Sequence, residues 1–141
     1  MVLTDTSVWS LALRRQTKDL SSQQQPIVTE WFRLVENADI CLIGPIRQEI
    51  LSGVRHKQQF VTLEERLTPF RDVPIETVDY VEAARFFNKC REHGVTGAPI
   101  HLLICAVAHR YNWRIFSMDS DFDSVARLLP ICLHQFDRVE S

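Results

Sequence analysis

Apolar residues occur along this chain in two arrangements, short unbroken runs and longer stretches spaced by three or four positions. The short runs are typical of strands in a parallel sheet, because such strands are buried on both faces. They cover residues 2–4, 39–43, 114–117 and 131–136. The longer stretches predict helices over residues 6–15, 26–38, 45–54, 59–70, 76–94, 97–108 and 121–129. Strands that alternate with helices predict an α/β fold, a three-layer α/β/α sandwich around a mostly parallel sheet.

The chain shows no internal repeat, no low-complexity tract and no change of composition that would mark a boundary between domains. Its 141 residues, 45% hydrophobic and 24% charged, suit one domain of ordinary size. We therefore expect residues 1–141 to form a single domain. No apolar run is long enough to span a membrane, and the first residues lack the features of a secretory signal. These observations favour a cytoplasmic protein.

The cysteines show no pair with metal-ligand spacing, and most of them lie among aliphatic residues. They are Cys41, Cys90, Cys105 and Cys132. This pattern favours reduced thiols in the core over a structural zinc site. A net charge of −2 excludes binding to nucleic acid through overall positive charge. Any surface that binds nucleic acid must therefore be a local patch.

Four acidic residues stand where a functional site is expected in this class of fold. Function in α/β folds concentrates at the carboxyl ends of the strands, and Asp5, Asp119 and Asp121 follow two predicted strands directly. Helical spacing places Glu49 on the apolar face of its helix, where an acid needs a partner. Taken alone, each acid has a simpler explanation as a helix cap, a turn residue or half of an ion pair. Together they would repel one another in one crevice, and a hard divalent cation would resolve that repulsion.

Four segments of the chain are similar to a known family. The segments "VLTDTSVW", "PIRQEIL", "IHLLICAVA" and "IFSMDSDF" occur in the order, and at about the spacing, found in the PIN-domain ribonucleases, particularly the bacterial VapC-like toxins. The resemblance covers essentially the whole chain. It implies a PIN-like fold with strand order 3-2-1-4-5. It also implies hydrolysis of RNA with Mg²⁺ or Mn²⁺ held by a cluster of carboxylates.

The same resemblance assigns roles to individual residues. The acids that match the family's metal site are Asp5, Glu49, Asp119 and Asp121, the last as the second acid of a D-x-D-F element. With His101 they form the set of candidate catalytic residues. Ser7 and Ser117 match small hydroxyl positions beside the cluster, where a role as a helix cap or turn residue is equally open.

The family also implies partners. In VapC-like systems a small antitoxin inserts a segment into the active-site groove, and the toxin commonly forms a homodimer. An RNA substrate would need a local basic rim on this chain. The best candidates are two clusters, Arg14, Arg15 and Lys18 beyond the first helix, and Arg55, His56 and Lys57 beyond the Glu49 helix. Ordinary solvated charges are the alternative interpretation of both clusters.

His101 departs from the family pattern, which usually has an aspartate here, at the head of a helix and just before an apolar run. In one interpretation the ring faces the crevice, because His101 shares a helical stripe with Ile104 and Cys105. The positive end of the helix dipole favours a neutral ring, which can ligate a metal or hold a water. In the other interpretation the acidic site has decayed, and His101 is a hydrogen-bonded core residue. The sequence leaves both open.

Other functions fit the residues less well. A dinucleotide-binding domain or a P-loop needs a glycine-rich turn after the first strand, and "DTSVW" contains no glycine. A phosphotransferase of the haloacid-dehalogenase type, with Asp5 as nucleophile, usually has a second acid two residues later, where this chain has Ser7. The main alternative to a ribonuclease is a non-catalytic PIN-fold protein that binds RNA or a protein partner after losing its metal.

Overall fold

Seven helices and four strands make up the part of the chain that a computed structural model describes, residues 1–14 and 17–137. The strands are β1 (Val2–Thr4), β2 (Ile40–Cys41), β3 (Arg114–Phe116) and β4 (Cys132–Leu133). The helices are α1 (Thr6–Arg14), α2 (Gln25–Glu36), α3 (Gly44–Leu51), α4 (Lys57–Leu67), α5 (Thr77–Glu92), α6 (Pro99–Tyr111) and α7 (Asp121–Ala126). A short 3-10 helix, Thr17–Asp19, which the pattern did not predict, follows α1.

The four strands form one parallel sheet in the order β2-β1-β3-β4. From β1 the chain moves through α1 and α2 to β2, and it later returns through α5 and α6 to β3, on the other side of β1. Right-handed crossovers that run in opposite directions place their helices on opposite faces of a sheet. The contacts between helices agree with two separate layers, because α1 packs on α2 and α3, whereas α5 packs on α6. The predicted three-layer α/β sandwich is confirmed.

The strands are shorter than the apolar runs that predicted them. Of the run 39–43 only Ile40–Cys41 forms a strand, because its partner β1 is itself three residues long. Of the run 131–136 only Cys132–Leu133 does so. Some of the remaining residues, such as Leu42 and Ile43, are apolar and fully buried without belonging to a strand. The pattern does not distinguish that environment from a strand.

Where a fifth strand would pair beside β2, the described residues form a single β-bridge. The family's order 3-2-1-4-5 would need another strand beyond β2, and the described residues have there one parallel bridge between Leu42 and Asp72. Val73 donates its backbone N–H to the Leu42 carbonyl at 2.9 Å. Pro74 follows and has no N–H to donate, so the ladder ends after one step.

Helix α6 continues past the apolar run that predicted it. The run ends at Ala108, but the helix ends at Tyr111, where Asn112 takes the left-handed conformation with φ 58°. The additional turn carries Arg110, which binds Asp79 of α5. This turn is held by the ion pair and by Tyr111, which packs on the core. Because the polar residues His109 and Arg110 interrupt the apolar run, the run alone did not mark the end of the helix.

Trp9 of α1 fixes the end of β1, immediately before Asp5. The indole is fully buried and donates its N–H to the Thr4 carbonyl at 3.0 Å. The rings of Trp31 and Phe70 meet it edge-on, with centroids 5.6 and 4.9 Å away. Buried aromatic packing of this kind restricts the backbone strongly, so the position at which the first strand stops is set by the core.

The cysteines are all free thiols, as predicted, but not all are in the core. Cys41, Cys90 and Cys105 are buried, whereas Cys132 is exposed because it lies on the edge strand β4. Burial raises the pKa of Cys41 and of Cys105 to about 12. Among the described residues no helix has both the length and the apolar character needed to cross a membrane.

Candidate metal centre

The carboxyl ends of β1 and β3 lie side by side at the point where the chain reverses direction in the sheet. Thr4 pairs with Phe116, the last residue of β3, and the Asp5 N–H donates to the Phe116 carbonyl at 2.8 Å. Asp5 and Ser117 therefore extend just beyond the sheet from neighbouring strands. Ligand sites of doubly wound sheets form at such reversals, so this is the crevice that the sequence predicted.

Two serine hydroxyls hold the buried carboxylate of Asp5. Ser7 and Ser117 each donate to Asp5 Oδ2, at 2.9 and 2.8 Å. Their oxygens in turn accept backbone N–H groups, Ser7 from Met118 at 3.0 Å and Ser117 from Asp119 at 2.9 Å. Each hydroxyl thus has both a donor and an acceptor role, which fixes its rotamer. The network occupies Oδ2 and leaves Oδ1 available for another partner.

His101, Asp119 and Asp121 form a compact group at the same edge. One ligand atom from each of the three lies within 4.8 Å of the others. His101 Nε2 is 3.6 Å from Asp119 Oδ2, and His101 Nδ1 is 3.7 Å from Asp121 Oδ2. These distances are longer than hydrogen bonds. The ring lies in the first turn of α6 and packs on Phe122, with centroids 4.6 Å apart.

Asp119 also has the turn role that was its alternative explanation. Its Oδ1 accepts the backbone N–H of Asp121 at 2.9 Å, at the start of α7. Its Oδ2 is the atom that faces His101. Asp119 therefore uses one carboxylate oxygen for the local turn and presents the other to the group. The turn role leaves room for a role in the metal site, which stays a prediction.

Glu49 does not lie on the buried stripe of its helix, which corrects the prediction from its spacing. Ile46 and Ile50 of α3 are fully buried, but Glu49 is exposed. The position is roughly 60° around the helix from Ile46, and a helix of eight residues buries only a narrow stripe. Glu49 also stays outside the compact group formed by the other candidates. Its place in the site remains a prediction.

Among the described residues, no cationic side chain pairs with the four acids. Within residues 1–14 and 17–137, no lysine or arginine forms an ion pair with Asp5, Glu49, Asp119 or Asp121. The ion-pair explanation proposed for Glu49 is therefore not supported. Carboxylate oxygens with one imidazole nitrogen form a donor set suited to a divalent cation. The residues present therefore fit such an ion.

The predicted basic residues lie on the surface around α1 and α4. Arg14, Lys18, Arg55, His56 and Lys57 are all exposed, and Arg15 lies outside the described residues. Arg14 lines a cleft of about 390 Å³ between α1 and α4. Arg66 lines the same cleft and donates to the Leu13 carbonyl at 3.0 Å. Sequence reasoning missed Arg66, because it lies in the last turn of α4, away from the two clusters.

Sequence reasoning also missed a buried polar network between α2 and β4. Glu30 receives two hydrogen bonds from Arg33, at 2.5 and 2.8 Å, and contacts His134 Nε2 at 2.5 Å. The bonds from Arg33 lower the pKa of Glu30, burial opposes them, and His134 adds to the lowering. The sequence contained a signal for the burial of Glu30, because this residue has helical spacing with the buried residues Ile27 and Leu34.

The family comparison agrees with the motifs. The PIN domain matches residues 2–128, nearly the whole described chain. The chain therefore belongs to the PIN domain family, as its motifs predicted.

Relatives of this chain include proteins named as VapC ribonucleases. The VapC ribonuclease Mb1587 of Mycobacterium bovis is 32% identical over 130 residues, which are 91% of this chain and 93% of that protein. Ribonuclease VapC11 of Mycobacterium tuberculosis has the same identity and coverage.

Two solved structures illustrate the fold that this chain shares with known proteins. The structure of FitAcB from Neisseria gonorrhoeae has a TM-score of 0.74 at 21% identity, and covers 96% of this chain and 97% of that one. VapBC2 from Rickettsia felis, solved with a DNA fragment from its promoter, has a TM-score of 0.71 at 15% identity, with coverage of 97% and 100%. At these identities the likeness supports the fold alone.

Proposed function

We propose that this chain is a metal-dependent RNA endonuclease, the toxin of a toxin–antitoxin pair. It hydrolyses RNA phosphodiester bonds with a divalent cation, Mg²⁺ or Mn²⁺. The observation that carries the proposal is the group of His101, Asp119 and Asp121 beside Asp5, at the reversal point of a PIN domain. The relatives of 32% identity are named as ribonucleases, which supports the same substrate class.

Asp5 and Asp119 would each bind the cation through the carboxylate oxygen that their other hydrogen bonds leave free. Asp5 presents Oδ1 because the two serines occupy Oδ2, and Asp119 presents Oδ2 because its other oxygen caps the turn. Asp121 and the exposed Glu49 complete the proposed set. With a divalent cation bound, these side chains would hold an ion that can supply an activated water and offset the charge developing on a phosphate. No side-chain nucleophile is needed, and none of the four acids has to form a covalent bond.

The proposed partners are RNA, a small antitoxin and a second copy of the chain. RNA would follow the exposed basic side chains Arg14, Lys18, Arg55 and Lys57, together with Arg15, which lies outside the described residues. The antitoxin is supported by the family resemblance and by the relatives of 32% identity, which are named as VapC ribonucleases. We expect the purified chain to be a homodimer by light scattering. We also expect a small protein encoded beside it to co-purify with it and to inhibit cleavage.

Cleavage of a short fluorescent RNA tests the proposal. Asp5→Asn and Asp119→Asn should each lose at least about 100-fold in rate, because each removes a charged ligand. Asp123→Asn is the matched control, since Asp123 is exposed on α7 outside the ligand group. Full activity of Asp5→Asn would overturn the carboxylate mechanism. RNA binding without cleavage in any divalent metal would favour the non-catalytic PIN-fold protein.

A further inference from the structure

We propose that His101 is a nitrogen ligand of the divalent cation, and that this nitrogen makes the site select a first-row transition ion such as Mn²⁺ over Mg²⁺. The inference rests on the proposed function, because it assumes that the acids at this edge hold a metal. It goes further by giving a role to the residue that replaces the family's usual aspartate and by naming the class of ion.

The ring of His101 is buried without a hydrogen-bond partner for one of its nitrogens. The residue is only 9% exposed, and Nδ1 has no partner among the described residues. A histidine in the core normally satisfies its nitrogens, because an unpaired buried polar atom costs about 1–3 kcal/mol. The alternative, that His101 is an ordinary hydrogen-bonded core residue, therefore lacks the bonds it requires.

Two carboxylates lie beside the ring of His101. Asp119 Oδ2 and Asp121 Oδ2 lie 3.6 and 3.7 Å from the two ring nitrogens. These separations are too long for hydrogen bonds. One ion can bind only one of the two ring nitrogens, and a set of three ligand atoms, one from each side chain, lies within 4.8 Å of one another. The packing of Phe122 against the ring holds it in this position. The three side chains are thus spaced as ligands of one ion.

The ion class follows from the chemistry of the donors. Mg²⁺ prefers oxygen ligands and keeps much of its water, whereas imidazole nitrogen binds the first-row transition ions better. A site with only carboxylates suits both kinds of ion. Replacing one carboxylate by an imidazole removes a negative charge that Mg²⁺ would use and adds a nitrogen that Mn²⁺ accepts. The preference should therefore shift toward Mn²⁺.

Pulsed electron paramagnetic resonance of the Mn²⁺-loaded protein tests the ligand directly. A nitrogen bound to Mn²⁺ gives a ¹⁴N modulation, which should be present in the parent and lost in His101→Ala. His109→Ala is the matched control, since His109 is an exposed histidine on the same helix, and it should keep the signal. Labelling the parent with ¹⁵N should change the modulation without any substitution, so the test stands even if His101→Ala does not fold.

Isothermal titration calorimetry with Mn²⁺ and Mg²⁺ tests the selectivity. The ratio of Mn²⁺ affinity to Mg²⁺ affinity should fall at least about tenfold in His101→Asp, which restores the carboxylate. An absent ¹⁴N modulation, or an unchanged ratio, overturns the inference. RNA cleavage by the same proteins separates it from the proposed function. If the protein cleaves RNA but shows no nitrogen ligand, the proposed ribonuclease function holds and the inference about His101 fails. If it shows the nitrogen ligand but cleaves no RNA in any metal, the inference holds and the proposed function fails.

Discussion

Ser117 donates its hydroxyl hydrogen to Asp5 across the gap between β3 and β1, at an Oγ–Oδ2 distance of 2.8 Å. The same oxygen accepts the N–H of Asp119 at 2.9 Å. Ser117 therefore connects two acids that come from opposite ends of the sequence. Residues that orient metal ligands in this way commonly change metal affinity by about 10- to 100-fold when removed. Ser117 is accordingly a positioning residue of the candidate metal centre.

Ser117→Ala should weaken Mn²⁺ binding about tenfold, because Asp5 loses one of the two hydroxyls that orient it. Stability should change by only about 1 kcal/mol, the usual net value of one hydrogen bond. Calorimetric titration with Mn²⁺ measures the first quantity and urea unfolding the second. Ser117→Thr, which keeps the hydroxyl, should restore binding, and the exposed Ser124→Ala should leave it unchanged. Binding by Ser117→Ala equal to that of the parent would show that the hydroxyl positions nothing.

Asp79 and Arg110 should contribute strongly to stability. The Asp79 carboxylate is 1% exposed and receives two bonds from Arg110, at 2.7 and 2.8 Å. Asp79→Asn should lower the free energy of unfolding by about 3 kcal/mol, the low end for a broken buried pair, because Arg110 keeps some contact with water. The control is the exposed pair of Glu82 and Arg85 on the same helix. Glu82→Gln should lower the free energy of unfolding by at most about 1 kcal/mol. Equal losses in the two variants, measured by urea unfolding, would contradict the special role of the buried pair.

The fold should lose stability in acid because two buried carboxyls have lowered pKa values. Burial alone raises the pKa of Asp79, but bonds from Arg110 and the Glu76 backbone outweigh it, and Arg33 lowers the pKa of Glu30 in a similar way. Such groups contribute stability that is present above their unfolded pKa, about 4, and is lost as the pH falls through the folded pKa. Urea unfolding should therefore show a decline that begins near pH 4. The decline should be shallower in Asp79→Asn, and an identical slope in that variant would refute the assignment.

The sequence predicted Asp5 and Asp119 because their positions follow from a general rule. A residue that directly follows a buried parallel strand must lie at the carboxyl edge of the sheet, whatever the details of packing. Both strands were visible as short apolar runs, so the two acids could be placed without knowing any contact. The predicted sandwich of helices and sheet followed from the same local patterns, read one element at a time.

Other features depend on contacts that no local pattern contains. One partner of Glu30 is His134, 104 positions away in the chain, and only the tertiary fold brings the two residues together. Glu49 was misplaced because spacing gives the angle around a helix but not the width of the stripe that a short helix buries. The unpartnered Nδ1 of His101 is also a tertiary property, because it depends on which polar groups the fold places within hydrogen-bond distance of the ring. The sequence could therefore name His101 as unusual but could not choose between its two roles.

The thiols should differ sharply in their reaction with iodoacetamide. Cys132 is exposed, whereas the other three are buried, and burial raises the pKa of Cys90 as well as those of Cys41 and Cys105. The thiolate is the reactive form, so buried thiols with raised pKa values react slowly. Mass spectrometry of the native protein should show one modification, and four after unfolding in urea. Cys132→Ser should show none in the native state, and any label on a core thiol would indicate local opening of the fold.

Glu49→Gln is the substitution that decides whether the exposed acid of α3 belongs to the metal centre. Glu49 makes no ion pair with a described residue and is exposed, so the variant should fold with an unchanged or slightly raised melting temperature. If Glu49 helps to hold the cation, directly or through a water, cleavage of the fluorescent RNA should fall at least about tenfold. Glu65→Gln on α4 is the control, because Glu65 is equally exposed and belongs to no candidate site. Cleavage by Glu49→Gln at the parent's rate would remove Glu49 from the site, and the cation would then be held by Asp5, Asp119 and Asp121 with His101.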